Sequence, residues 1–214
     1  MKSKLHDLLA SSRVIPLIEA QDAATGVAIA DAFESAGMQL VEVVQRTPAS
    51  LDSLRAIAGA KANLIVGAGT VLSADQAREC IASGAQFVVS PGLDEAVVEA
   101  AREASVHVIP GIMTPTEAQQ AHNLGLSVVK FFPASIAGGV GALRALASVF
   151  RNMQFVPTGG ISASNLAEYL ELDAVLACGG SWMTPKDAIS AGDYQRVTEL
   201  ARAALATAAQ VQRS

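Results

Sequence analysis

Residues 63–84 read NLIVGAGTVLSADQARECIASG. The stretch opens with apolar, β-branched residues, passes two glycines, and then changes period into a run of helix formers. Ser73 is of the type that caps a helix N-terminus, because its hydroxyl accepts a hydrogen bond from an orphaned backbone N–H. Gly84 is of the type that follows a helix C-terminus in the left-handed conformation. One strand followed by one helix is therefore predicted.

The same unit recurs outward in both directions. Apolar runs begin at Val14 (VIPLIEA), Leu40 (LVEVVQR), Asn63 (NLIVGAGT), Ala85 (AQFVVSPG), Val106 (VHVIPGI), Ser127 (SVVKFFP), Gln154 (QFVPTGG) and Ala174 (AVLACGGS). Their starts lie 20–27 residues apart, room for a strand, a helix and two short connections. TPTEAQQAHNLG from Thr114 repeats the helix signals, with Pro115 at a first helical position and Gly125 just past the end. Residues 194–210 read as a closing helix.

Such alternation predicts parallel strands with crossover helices. Eight units point to an α/β fold, a (β/α)8 TIM barrel with an N-terminal helix, as a single domain over residues 1–214. An open doubly wound sheet of eight strands is the alternative. No linker, low-complexity tract or shift in composition divides the chain.

Composition narrows the function classes. The chain has 214 residues, 51% hydrophobic and 4% aromatic, so its core is built mainly from Ala, Val, Leu and Ile. Fifteen basic against twenty acidic residues give a net charge of −5, with no polybasic run. Nucleic acid needs clustered Lys and Arg and is excluded as a partner. A small anion needs only one arginine and a few backbone N–H groups. Cys80 and Cys178 stand far apart and form no CxxC pair, and His6, His107 and His122 are scattered. Both cysteines are expected as small buried hydrophobes, and no metal is expected. MKSKLHDLLASSR lacks the apolar segment of a leader, and no apolar run approaches the length of a membrane span. A cytoplasmic protein is expected.

In a barrel the reactive residues belong at the C-terminal ends of the strands. Taken in order, these ends deliver Glu19; Glu42 and Arg46; residues 67–70, ending in Thr70; Ser90 and Pro91; Lys130; Thr158, Gly159 and Gly160; and Gly179, Gly180 and Ser181. Lys130 stands alone in SVVKFFPAS, a run that otherwise reads as a strand buried on both faces. Burial strips an ammonium of its hydration and favours the neutral amine.

Alternation places Glu42, Val44 and Arg46 on one face and Val41, Val43 and Gln45 on the other. The valines belong against the helices, which turns the charged pair inward. By the same parity Lys130 shares a face with Val128 and Phe132. Three charged side chains are thus expected to converge at one mouth, either as a structural ion-pair network or as a reactive centre.

PTGGI and CGGS each end a strand and lead toward a helix start, at ISASN and MTPKD. Loops in those two positions of a barrel frequently bind phosphate through backbone N–H groups. GAGTVL carries Leu72 where the last glycine of GxGxxG would stand, so it is no dinucleotide fingerprint.

VEVVQRT, VGAGTVL, FVVSPG, IPGIMTPTE, VKFFPA, VPTGGI and GGSW, in this order, give the chain over nearly its whole length a resemblance to the bacterial 2-keto-3-deoxy-6-phosphogluconate (KDPG) aldolases, which include 4-hydroxy-2-oxoglutarate (KHG) aldolase activity. The resemblance implies a homotrimeric barrel and a lyase of the Entner–Doudoroff pathway, working by a class I mechanism with no cofactor and no metal. Lys130 then resembles the Schiff-base lysine and Glu42 the general acid/base. Arg46 and Thr70 resemble the groups that hold the pyruvyl carboxylate, while Pro91, Phe132 and Thr158 line the site. Gly159, Gly160, Gly180 and Ser181 resemble the phosphate-binding set.

The chain departs from the family where the second strand usually reads close to LEVTLRT and here carries Val44 and Gln45. It departs again at Glu19, where relatives often carry a neutral residue or an arginine. A carboxylate facing the phosphate pocket would repel that anion.

On this reading neutral Lys130 attacks the ketone of a 2-keto-3-deoxy acid, and the imine acts as electron sink for cleavage between carbons 3 and 4. The expected partner is a phosphorylated keto acid, split to pyruvate and glyceraldehyde 3-phosphate. A phosphate-binding barrel isomerase or epimerase, or a non-catalytic sugar-phosphate binding protein, would share the glycine loops but need no imine-forming lysine.

Overall fold

Strand and helix alternate along the chain in a computed structural model that describes residues 4–212. The first three residues, part of the stretch read for a leader, lie outside the described residues. The elements are α1 (Lys4–Ser12), β1 (Val14–Ile18), α2 (Ala23–Ala36), β2 (Leu40–Val44), α3 (Ser50–Ala60), β3 (Ile65–Gly69), α4 (Ala74–Ala82), β4 (Phe87–Val89), α5 (Glu95–Glu103), β5 (His107–Ile109), β6 (Gly111–Ile112), α6 (Pro115–Asn123), β7 (Val128–Phe131), α7 (Gly139–Val149), β8 (Gln154–Pro157), α8 (Leu166–Leu170), β9 (Cys178–Gly180), α9 (Lys186–Ala191) and α10 (Tyr194–Gln210).

All strand pairs are parallel. Six strands run in the order β5-β4-β3-β2-β1-β9 and three in the order β6-β7-β8. Bridges from Phe155 to Val175 and from Thr158 to Gly179 join β8 to the segment that carries β9. The ring therefore closes as a barrel, and the open doubly wound alternative is discarded.

Eight runs give nine strands because VHVIPGI is split at Pro110. Proline has no N–H to donate to a neighbouring strand. β5 before it pairs with β4, and β6 after it pairs with β7. The Pro110 carbonyl still accepts from the Lys130 N–H at 2.8 Å.

The local signals act as their chemistry requires. Ser73 accepts from the Gln76 N–H at the start of α4, and Gly84 adopts φ +104 beyond its end. Thr114 and Glu117 form a reciprocal capping box around Pro115, and Gly125 turns the chain out of α6 with φ +72.

The apolar residues divide into two cores. The larger lies between strands and outer helices and contains Val41, Val43, Val129, Phe131 and both cysteine side chains, which are unpaired and buried. The smaller fills the lower barrel interior with Ile15, Leu40, Phe87, Val89, Ile109, Val156 and Leu176, and Leu5 and Leu9 of α1 close it from below. Full burial of one such leucine contributes about 1.5–3 kcal/mol. No helix among the described residues is long and apolar enough to cross a membrane.

Candidate active site

Lys130 lies between Val129 and Phe131, and both of these pack into the outer core. Alternation therefore sends the lysine inward. Glu42 is turned inward in the same way by Val41 and Val43. Each of the two side chains is 2% exposed, and the Lys130 Nζ stands 4.0 Å from the Glu42 Oε1. That separation exceeds a hydrogen bond, and the Glu42 Oε1 has no hydrogen-bond partner among the described residues. The Nζ also lies 4.8 Å from the centroid of the Phe132 ring.

Burial moves both groups toward neutrality. It lowers the Lys130 pKa against the opposing charge of Glu42, and the Arg46 charge lowers it further. It raises the Glu42 pKa, although the Lys130 and Arg46 charges pull the other way. Desolvation outweighs mutual attraction in both cases, so the Lys130 pKa lies below the ordinary lysine value and the Glu42 pKa above the usual carboxylate range.

Glycine makes the room for the glutamate. β3 presents Gly67 and Gly69 to the interior beside Glu42 of β2. A Cβ on Gly69 would stand 2.0 Å from the Glu42 Oε1, and one on Gly67 would stand 2.2 Å from the Phe87 ring. The Glu42 carboxylate therefore occupies the space that the absent side chain leaves. Sequence reading rejected GAGT as a nucleotide loop and missed this use. The signal was present as glycine at alternate positions of a strand, on the face that delivers the carboxylate.

Arg46 corrects the parity expectation. It lies past Val44, the last residue of β2, where strand alternation no longer fixes the side chain. Its side chain is 43% exposed at the rim rather than turned inside. There the Nε donates to the Thr70 Oγ1 at 3.1 Å, and the Nη1 lies 3.7 Å from the Glu19 Oε2. Thr70 holds φ +59, an uncommon conformation for a β-branched residue. Glu19 thus sits beside the arginine.

The remaining residues line the same mouth. A Cβ on Gly111 would stand 2.0 Å from the Pro91 carbonyl oxygen, and Gly111 is the residue in register with Lys130. Ser90 is buried, and its hydroxyl donates to the Gly92 carbonyl. Thr158 is buried, and its carbonyl accepts from the Ala134 N–H at 2.8 Å, while the Gly159 carbonyl accepts from the Ser135 N–H at 3.0 Å. The loop leaving β8 is thereby tied to the loop leaving β7. Gly159 and Gly160 have φ +91 and +80, and a Cβ on Gly160 would meet the Ser135 hydroxyl at 2.1 Å. Gly179 and Gly180 end β9 buried, with a Cβ on Gly179 only 2.5 Å from the Thr158 Oγ1, and Ser181 follows exposed. Among the described residues no three His, Cys, Asp or Glu side chains are grouped to hold a metal ion.

Known proteins are similar to this chain in fold and sequence. The family model described as KDPG and KHG aldolase matches residues 5–200. The KHG/KDPG aldolase of Escherichia coli (strain K12) is 45% identical over 204 residues, covering 95% of this chain and 96% of that protein. The crystal structure of KDPG aldolase from Legionella pneumophila, with pyruvate captured at low pH as a covalent carbinolamine intermediate, superposes with a TM-score of 0.91 at 34% identity. That match covers 95% of this chain and 99% of the other. The Zymomonas mobilis ZM4 KDPG aldolase with 3-phosphoglycerate gives a TM-score of 0.89 at 33% identity, over 99% and 97% of the two chains. With the match running from β1 through β9 and the inward lysine and glutamate at its centre, this chain belongs to the KDPG and KHG aldolase family.

Proposed function

We propose that this aldolase cleaves 2-keto-3-deoxy-6-phosphogluconate to pyruvate and glyceraldehyde 3-phosphate through a Schiff base on Lys130, with Glu42 as the acid and base. The observation that carries the reading is the buried, inward Lys130 facing Glu42 across 4.0 Å. A nucleophilic amine has to be neutral, and burial shifts Lys130 toward that state.

The amine adds to the substrate ketone and gives a carbinolamine. Loss of its hydroxyl as water requires a proton, which Glu42, whose hold on its proton burial strengthens, can donate. The iminium and the carboxylate then form together, and each charge stabilises the other in a dry interior. The carboxylate takes the proton of the carbon-4 hydroxyl, the bond between carbons 3 and 4 breaks, and its electron pair flows into the iminium to give an enamine. Glyceraldehyde 3-phosphate leaves. Glu42 returns the proton to carbon 3, and hydrolysis frees pyruvate and restores the neutral amine.

Arg46, seated on Thr70, holds the pyruvyl carboxylate at the rim. Pro91, Phe132 and Thr158 line the chamber. Gly159, Gly160, Gly180 and Ser181 take the distal phosphate, since glycine at these turns lets backbone N–H groups approach an anion. The relative with 3-phosphoglycerate supports a phosphorylated ligand, and the relative with a pyruvate carbinolamine supports the covalent step. Cleavage of 4-hydroxy-2-oxoglutarate to pyruvate and glyoxylate by the same residues is a second reading, favoured by the name of the Escherichia coli relative.

A cytoplasmic homotrimer is the form this reading takes. Leu72, Met113 and Ile136 support association of copies: they stand 64%, 43% and 79% exposed on the loops leaving β3, β6 and β7.

Borohydride reduction in the presence of pyruvate tests the proposal. A permanent adduct on the peptide that contains Lys130 is expected, and an unmodified Lys130 would overturn the reading. Equal cleavage rates for phosphorylated and unphosphorylated keto acids would remove the phosphate from it.

A further inference from the structure

Arg46 is the cation at the mouth that the proposed function gives to the substrate's carboxylate, and the inference rests on that assignment. Its donors are partly committed. The Nε bonds to Thr70, and the Nη1 faces the Glu19 carboxylate at 3.7 Å, with the two side chains 43% and 42% exposed. Glu19 follows the last residue of β1, which lies between β2 and β9 in the sheet. The Thr184 hydroxyl, donating to the Leu17 carbonyl, ties the turn after β9 to the end of β1. The glutamate therefore stands between the arginine on one side and the loop that carries Ser181 on the other, and its ion pair is with the arginine.

We propose that Glu19 is a specificity-determining residue of this chain, an internal counter-ion on Arg46 that the substrate's carboxylate has to displace. A guanidinium grips a carboxylate best through two parallel N–H groups. With one nitrogen facing Glu19, an incoming carboxylate competes with a tethered one, and its apparent affinity is the intrinsic affinity multiplied by the fraction of arginine that is free. The pair is half exposed and longer than a hydrogen bond, so the effect is that of a rim ion pair. An interaction of about 0.2–1 kcal/mol corresponds to a factor of about 1.5 to 5. Because Glu19 competes for the arginine with the carboxylate beside the ketone, which every 2-keto acid shares, it acts on all substrates alike. A glutamate that instead repelled the distal phosphate would act only on substrates that carry one.

KM values of Glu19→Gln for three keto acids separate these effects: one with a neutral distal end, one with a distal carboxylate and one with a distal phosphate. The expected result is a fall in KM of about 1.5-fold to 5-fold, by a common factor for all three. A matching fall is expected in the pyruvate concentration that half-saturates borohydride trapping. KM unchanged, raised, or lowered only for the phosphorylated substrate would overturn the inference. Arg46→Gln, measured in parallel, isolates the underlying assignment. If that change leaves the KM of all three substrates untouched, Arg46 does not hold the carboxylate and the proposed role of the arginine fails. If it raises KM while Glu19→Gln does nothing, only the inference about Glu19 fails.

Discussion

The floor of the barrel interior holds Leu5, Leu9, Ile15, Leu40, Phe87 and Ile109, whereas the mouth holds Lys130, Glu42, Thr158 and a set of glycines. The same strands build both. On β2 the step is from Leu40 to Glu42, on β7 from Val128 to Lys130, and from β8 it runs from Val156 to Thr158 just past the strand end. Each step is two residues along one face, roughly 6.6 Å of strand. The floor is lined with apolar side chains and closed by an N-terminal helix. At the mouth, Gly69 leaves space and the Glu42 carboxyl group takes it. One pleat therefore separates residues that stabilise the fold from residues placed against stability, because a buried amine and a buried acid both cost desolvation.

The contrast between floor and mouth is tested hardest at Lys130. Lys130→Met retains the volume and removes the nucleophile, so turnover and borohydride trapping should both vanish. The melting temperature should stay level or rise, because an amine buried at a desolvation cost gives way to apolar packing. A marked loss of stability would mean that the lysine is a structural member of the core.

Glu42→Gln is expected to lower kcat for cleavage by about 10²-fold to 10⁴-fold, the range for loss of a positioned acid and base. It also moves a titration. The Glu42 charge raises the Lys130 pKa. Removing that charge should shift the midpoint of pyruvate trapping against pH to lower pH; a shift to higher pH would contradict an attraction between the glutamate and the ammonium.

Gly69→Ala is expected to act through Glu42 without touching substrate. The added methyl would stand 2.0 Å from the Glu42 Oε1 and force the carboxylate to move. A displacement on the order of 1 Å can cost up to about 10²-fold in rate. Shortening the acid in a Gly69→Ala, Glu42→Asp double variant should recover part of kcat relative to Gly69→Ala alone. No recovery would assign the loss to general distortion of β3.

At the floor the effects invert. Leu9 is 1% exposed in the helix that closes the interior. Leu9→Ala should cost about 2–5 kcal/mol of unfolding free energy in a denaturant titration. The kcat of the folded protein should stay unchanged, because the substitution lies on the far side of the apolar layer from Lys130.

Much of this was legible in the sequence. Strand and helix periods, the Ser73 and Thr114 starts, the Gly84 and Gly125 exits and the closing helix all follow from local chemistry, and the structure has them in those places. Parity alone turned Lys130 and Glu42 inward, because the residues flanking each are apolar and must face the helices. Parity failed at Arg46, since its rule holds only while the chain stays in the sheet. The split at Pro110 was hidden because the missing N–H matters only once a neighbouring strand is known. The contact between Glu19 and Arg46 depends on β1 and β2 being adjacent in the closed ring, and the role of Gly69 depends on the reach of a side chain from the next strand. Both are tertiary facts that no local window contains.

The central claim is that burial, against the pull of Glu42, lowers the Lys130 pKa and so favours its neutral amine. It is tested most directly by ¹³C NMR titration of protein labelled at the lysine side chains, with the Lys130 resonance identified by its loss in Lys130→Met. Lys130 is predicted to titrate clearly below the ordinary lysine value of about 10.4. Titration at or above that value would show that the ion pair with Glu42 governs the site, and would contradict the claim.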